Sequence, residues 1–244
     1  MKAVIFGGSA GMGRAIAEQL ASRHADVLLV ASDARDLDAV RSDLLLKYGT
    51  GKISTLAIDL AQAAPEAVVG GILDDFGKFD AMFLVAGLGD DGDSGVLASV
   101  AAERLVKINF VAPALLINAV MAADALLPNG SIVVLSSVAA ARGRGRNVLY
   151  GASKRGLEQY LEALRASSLG HQYQFLVFRL GYLDTAMMQY RQPWLPKACP
   201  DTVAKNILSK LGGRSGLHYL PFWWRAIAWC VRLLPIPVLR RLDF

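Results

Sequence analysis

Short apolar runs alternate with stretches of helical spacing along nearly the whole chain. Residues 2–6 form the first run, and a glycine cluster at 7–13 breaks it. Residues 14–23 then repeat apolar positions at a helical period through Ile16, Ala17 and Leu20. The next run, 27–31, is too short for a helix and is rich in valine and leucine. Strands are predicted over 53–58, 81–85, 131–136, 174–180 and 217–220, and helices over 36–48, 65–76, 101–127, 149–168 and 201–211. Gly49 is placed to end the helix at 36–48, and Pro128-Asn129-Gly130 signals a turn before the strand at 131. The stretch 101–127 is apolar nearly all round, through Leu105, Ile108, Phe110, Leu115, Leu116, Ile117, Val120 and Met121. Such a helix is expected to bury one side on a sheet and the other on a second subunit, with a kink at Pro113.

The strands are continuously apolar, the pattern of strands covered on both faces. Alternating with helices, they predict a single α/β domain: a doubly wound parallel sheet of about seven strands with helices on both faces and right-handed crossovers. Residues 1–221 are expected to form this domain, and 222–244 a distinct tail. No repeat of solenoid period and no low-complexity linker interrupts the pattern.

Composition narrows this further. A hydrophobic share of 54% against 19% charged residues supplies a sizeable core in 244 residues. The net charge of +5 is too diffuse to argue for nucleic acid and suits an anionic cofactor, substrate or membrane surface. The two cysteines, Cys199 and Cys230, have no metal-ligand spacing, so neither a disulfide framework nor a zinc site is expected. A reducing, cytoplasmic compartment is expected, and the strand starting at Lys2 leaves no room for a cleaved signal peptide.

The glycine cluster Gly7-Gly8-Ser9-Ala10-Gly11-Met12-Gly13 joins the first strand to the first helix. Gly7 permits a tight turn, Gly11 leaves space for a pyrophosphate, and Gly13 lets helix and strand pack closely, with the helix start facing the phosphates. At the end of the second strand stand Ser32, Asp33 and Arg35. Ser32 and Arg35 suit a 2′-phosphate, while Asp33 suits a ribose hydroxyl or a helix cap, so NADP(H) is favoured slightly over NAD(H). Downstream, Tyr150 and Lys154 lie four residues apart, and Ser137 precedes the tyrosine by thirteen.

Together these residues resemble the short-chain dehydrogenase/reductase family over roughly residues 2–220. The family's first motif is present as Phe6 to Gly13, with Phe6 in place of a threonine, and its Asn-Asn-Ala-Gly as Leu84-Val85-Ala86-Gly87. The Pro-Gly after strand six is present as Leu180-Gly181. The resemblance implies a Rossmann-type fold and a catalytic tetrad of Asn109, Ser137, Tyr150 and Lys154. It implies cofactor contacts at Gly7, Ser9, Gly11, Met12, Gly13, Ser32, Asp59, Leu60, Ala86, Gly87, Tyr150, Lys154, Gly181, Leu183 and Thr185. Asp59 would meet the adenine, and Leu183 and Thr185 the nicotinamide amide.

Physical chemistry fits those roles. A carbonyl accepting hydride needs a proton, which a tyrosine can supply, but a free phenol has a pKa of about 10. Lys154, one turn on, favours the phenolate and can bond the nicotinamide ribose. Ser137 can donate to the substrate oxygen, and Asn109 can hold a water leading from Lys154 to solvent.

Arg142, Arg144 and Arg146 lie between Ser137 and Tyr150 in a segment expected to arch close to the site, where they suit either a grip on a substrate phosphate or pyrophosphate or a solvated loop. Asp90-Asp91-Gly92-Asp93 reads as a polar turn. After Pro221 comes an aromatic, arginine-interrupted segment stopped by Pro235 and Pro237, too short to span a bilayer. Its predicted apolar stripe is Trp223, Ala226, Ile227, Cys230, Leu233 and Leu234, opposite Arg225, Trp229 and Arg232. Such a helix suits the inner face of a membrane, with contact through 222–241, or a surface of the protein itself or of a second subunit. The tail is similar to those of short-chain reductases that act on polyprenyl-phosphate sugars. The reading that follows is an NAD(P)-dependent carbonyl reductase or alcohol dehydrogenase, a homodimer or homotetramer, for a small-molecule or lipid-linked keto sugar carrying phosphate. A soluble reductase of ketones, steroids or acyl thioesters is the second enzymatic reading, and a nucleotide-sensing regulator the reading of another class.

Overall fold

The computed structural model describes residues 1–49, 51–89, 92–185 and 196–241. Its elements run β1 (Lys2–Phe6), α1 (Gly11–Ala21), β2 (Asp26–Ala31), α2 (Ala34–Tyr48), β3 (Ile53–Ala57), α3 (Pro65–Asp75) and β4 (Phe79–Leu84). Then follow α4 (Ser99–Val106), α5 (Ala112–Ala122), β5 (Leu126–Ser137), α6 (Val148–Ala166), β6 (Gln174–Leu180), α7 (Pro200–Leu208), β7 (Gly216–Leu220), α8 (Trp224–Leu233) and α9 (Ile236–Leu239). The strands form one sheet in the order β3-β2-β1-β4-β5-β6-β7, and every pairing is parallel. This is the doubly wound architecture that the alternating pattern predicts.

Alternate residues of each strand point to opposite faces. Ala3 and Ile5 of β1 therefore join one core with α1, α2 and α7, and Val4 and Phe6 join the other with α3, α5 and α6. The chain order reverses between β1 and β4, which opens a crevice at their carboxyl ends. The candidate functional side chains gather there.

The helix predicted over 101–127 differs at both ends and in the middle. It begins at Ser99 and stops at Ala122, and a π turn over Lys107–Val111 separates α4 from α5. The wider turn precedes Pro113 and gives its ring room, so the expected irregularity falls just upstream of the proline. Asp124, in the left-handed region at φ 47°, turns the chain away, and Leu126 pairs with Phe79. The apolar pair Leu126-Leu127 thus begins β5, and the turn at Pro128–Gly130 is a bulge within that strand. By length and composition Ser99–Ala122 could cross a membrane, yet half of its apolar window is buried inside the protein.

None of the residues of the tail helix's predicted stripe is buried in the protein. Trp224 and Ala228 are the buried residues of α8, whereas Ala226, Cys230 and Leu233 are exposed. The reason is Gly181: a Cβ there would stand 1.8 Å from the Trp224 indole nitrogen, so only glycine admits this ring. Tyr182 meets the same indole edge-on, and Trp223 stacks on it.

Candidate active site

The glycine turn is held from both sides. The amides of Gly7 and Gly8 donate to the Val30 carbonyl at 2.7 and 3.2 Å, and those of Val85 and Ala86 donate to the Phe6 carbonyl at 2.9 and 2.8 Å. Gly7, at φ 93°, lies so close to the β4 loop that a Cβ would fall 2.6 Å from the Ala86 nitrogen. A Cβ on Gly13 would fall 1.9 Å from the Gly7 carbonyl oxygen. Gly11 faces Thr185, whose methyl lies 3.7 Å from where a Cβ would stand, so the segment after β6 closes on the turn. Ala10 provides no side-chain cap for α1. The first amides of the helix, at Gly11, Met12 and Gly13, are left for a ligand, with the partly buried Ser9 beside them.

Beyond β2, Ser32 is exposed. Asp33 caps α2, accepting from the amides of Arg35 at 2.8 Å and Asp36 at 3.4 Å, and it pairs with the Arg35 guanidinium at 3.0 Å. Those contacts, the Arg35 side chain first, hold its carboxyl below the usual range. Asp59 accepts from the Ala61 amide at 2.9 Å and from both terminal nitrogens of Arg104 at 3.2 Å. The amide and the guanidinium lower its pKa in that order of importance. Leu60 beside it is buried.

The catalytic side is built on α6 and the ends of β4 and β5. Lys154 is buried, and its ammonium donates to the Leu135 carbonyl at 3.3 Å. Burial lowers its pKa to about 8, with the nearby Glu158 carboxylate opposing the change. Tyr150 is pushed up by burial, while a Ser137 hydrogen bond and the Arg144 charge pull the other way. Asn109 sits fully buried in the π turn, its oxygen accepting from the Leu88 amide and its nitrogen donating to the Leu88 carbonyl, each at 2.8 Å. It therefore steadies the loop after β4, and each end of its carboxamide keeps one hydrogen-bonding position for a water. A Cβ on Gly87 would meet the Lys154 ammonium at 3.0 Å and the Asn109 oxygen at 3.1 Å. Lys154, Asn109 and Gly87, drawn from three elements, thus converge on one point.

A family model described as short chain dehydrogenase matches residues 1–196. The chain belongs to the short-chain dehydrogenase family. A short-chain dehydrogenase/reductase of Cladobotryum is 32% identical over 188 residues, 76% of this chain and 72% of that one. An uncharacterised oxidoreductase of Mycobacterium tuberculosis is 29% identical over 98% of this chain and 96% of its own. Among solved structures, a metagenomic short-chain oxidoreductase in complex with NADP is 26% identical, with a TM-score of 0.73 over 90% of this chain and 95% of that one. The protein is an NAD(P)-dependent oxidoreductase of this family.

Several residues of this short-chain dehydrogenase escape a reading of its motifs. Asp93 is buried, and its carboxylate accepts from the Leu149 amide at 3.0 Å and the Tyr150 amide at 2.8 Å. It caps α6 from a distant loop and fixes the backbone of Tyr150; Asp90 and Asp91 lie outside the described residues. A turn beyond Lys154, Glu158 accepts from Arg179 at 2.7 and 2.5 Å and from the Ser136 hydroxyl at 2.7 Å, all buried. Arg179 also donates to the Tyr219 hydroxyl at 2.5 Å. Gly181 carries Trp224, and Leu183 bridges to Ala198. The segment holding the three arginines does not simply arch over Tyr150. Arg142 and Arg144 line a cavity on the outer flank of α6, whereas Arg146 is exposed and outside that wall.

Proposed function

We propose that this protein transfers a hydride between NADP(H) and a carbonyl or alcohol, with Tyr150 as the group that gives and takes the proton. The observation that carries this reading is the convergence of Lys154, Asn109 and Gly87 beside a Tyr150 that shares a hydrogen bond with Ser137. The glycine cradle, which Cβ atoms would fill, and the uncapped start of α1 fit a dinucleotide. Its phosphates would lie on Gly7, Ser9, Gly11, Met12 and Gly13, its ribose near Ser32, its adenine by Asp59 and Leu60, and its nicotinamide against Ala86, Gly87, Gly181, Leu183 and Thr185. The bound nicotinamide supplies or accepts the hydride. In reduction the Tyr150 hydroxyl donates its proton to the carbonyl oxygen as that oxygen gains charge. Ser137 donates a second hydrogen bond there. The Lys154 ammonium holds the resulting phenolate and bonds the ribose.

NADP(H) is favoured because Asp33 is spent on capping α2 and on Arg35, so its carboxylate is not presented to a ribose hydroxyl. Ser32 and Arg35 are exposed at the place a 2′-phosphate would occupy, and a relative by structure is described with NADP bound. The substrate proposed is a phosphorylated or lipid-linked keto sugar. The arginine-lined cavity on the outer flank of α6 supports it. So do the exposed Phe222, Trp229 and Leu233 interleaved with Arg225 and Arg232, which suit peripheral contact with the inner face of a membrane. The exposed Val100 and Leu115 of α4 and α5 are the proposed contact between copies in a dimer or tetramer. The test is kcat/KM with NADPH and with NADH across a panel of carbonyls. The reading expects carbonyl-dependent oxidation with NADPH ahead. A strong NADH preference removes the cofactor proposal, and no oxidation with any carbonyl removes the reductase.

A further inference from the structure

A cavity of about 360 Å³ lies between the segment following β5, the outer flank of α6 and the tail helix α8. Its charged lining consists of Arg142, Arg144, Arg155 and Arg232, with no carboxylate among the described residues that line it. The four guanidinium groups come from three separate elements. Two belong to the segment joining Ser137 to Tyr150, one to the exposed side of α6, and one to the last turn of α8. Like charges gathered around one space repel, and a bound anion relieves that repulsion.

The helix start is not what would hold the anion. The amides of Leu149 and Tyr150 are already satisfied by the Asp93 carboxylate, and the Val148 amide by the Asp93 carbonyl at 3.4 Å. The arginines must do the work. Arg155 gives one nitrogen to Glu158 at 3.2 Å, with its side chain 47% exposed. Among the described residues Arg142 and Arg232 enter no ion pair. Guanidinium forks recognise phosphate oxygens two at a time, which sets phosphate apart from a simple halide.

The cavity is not remote from the chemistry. Its floor is Ala139 and Gly151, so closely packed that a Cβ on Gly151 would stand 2.9 Å from the Ala139 carbonyl oxygen. These residues neighbour Ser137 and Tyr150 in the chain, and Arg144 lines the cavity while its charge reaches the phenol.

We propose that this cavity is the phosphate-binding part of the substrate site, and that the tail helix completes it by contributing Arg232. The proposal rests on the carbonyl-reductase reading above and deepens it. The tail is then not only a surface element, because its last turn forms a wall of the site. The phosphate belongs either to a soluble sugar phosphate or to a lipid whose chain would run along the exposed Trp229 and Leu233.

The test is calorimetric binding of inorganic pyrophosphate to the full chain saturated with NADPH, so that the glycine turn is filled, at constant ionic strength. Arg142→Ala and Arg232→Ala should each weaken the affinity about tenfold, which corresponds to about 1.4 kcal/mol. Arg232→Gln, with thermal melting alongside, guards against a variant that fails through loss of fold. A parallel arm uses phosphatidylcholine vesicles with and without polyprenyl phosphate. Vesicle binding that needs polyprenyl phosphate and is lost in Arg232→Ala supports the lipid source. Pyrophosphate binding that weakens in the variants, without any vesicle binding, supports a soluble phosphate ester. No binding in either arm, or binding unchanged in the variants, overturns the proposal. NADPH oxidation with unphosphorylated carbonyls separates the two readings. Arginine-dependent anion binding without oxidation leaves the site standing and removes the reductase, and oxidation without anion binding does the reverse.

Discussion

Two faces of the same helix, α6, differ in what they do with charge. The inner face carries Tyr150, Lys154 and Glu158 against the sheet, and each of these polar groups has a partner: Ser137, Leu135 and Arg179 in turn. The outer face carries Ala152, Arg155, Gln159 and Glu162 in solvent. One helical period serves both, and burial makes the difference. On the inner face the loss of water moves Lys154 down to about 8 and pushes Tyr150 up, a rise that the Ser137 hydrogen bond and the Arg144 charge oppose. On the outer face water screens the charges, and they matter only where a cavity gathers them, as at Arg142, Arg144, Arg155 and Arg232.

The comparison can be broken first at Glu158. Glu158→Ala leaves Arg179 buried with only Tyr219, and loss of one partner of a buried ion pair costs about 3–5 kcal/mol. A clear fall in thermal midpoint is expected; a midpoint unchanged from the parent would show that the inner charges are not coupled as described. Asp93→Ala removes a cap worth about 0.5–2 kcal/mol and releases the backbone under Tyr150. It should lower kcat several-fold while the affinity for NADPH stays constant, and an equal loss in both would point to a general loosening. The third check is pH. Lys154 is protonated below about 8 and neutral above it, and in the proposed mechanism its charge supports the phenolate that forms as Tyr150 gives up its proton. Reductase kcat should therefore fall as pH rises through about 8, and a flat profile from neutral to alkaline pH would contradict the assignment. The smallest effect belongs to the outer face. Glu162→Ala should change stability by less than about 0.5 kcal/mol and leave turnover intact.

Much of this was legible in the chain because the constraints are local. Gly7, Gly11 and Gly13 lie within seven residues and report a tight turn, in which a Cβ at Gly7 or Gly13 would strike backbone, and Tyr150 and Lys154 report one helical face. The rest depends on residues far apart in sequence. Asp93 reaches α6 across 56 and 57 positions, and Glu158 meets Arg179 across 21; no spacing rule connects them. The end of the long helix was misplaced because Leu126 and Leu127 are apolar in helix and strand alike, and only Asp124 in the left-handed region stops the helix. Which side of α8 packs on the protein was not legible, because apolar residues occupy most of its sides. Its orientation is set by a space above Gly181, which belongs to another element. Of the variable loop at about 187–200, whose sequence follows no general code for a substrate, residues 187–195 lie outside the described residues.

The central claim is that the inner face of α6 carries out proton transfer, and Tyr150→Phe tests it most directly. The measurement is carbonyl-dependent NADPH oxidation beside NADPH affinity and melting temperature. Removing a general acid costs about 10²–10⁴ in rate, so turnover should drop by at least the lower figure while affinity and fold are kept. Turnover near that of the parent protein would contradict the claim.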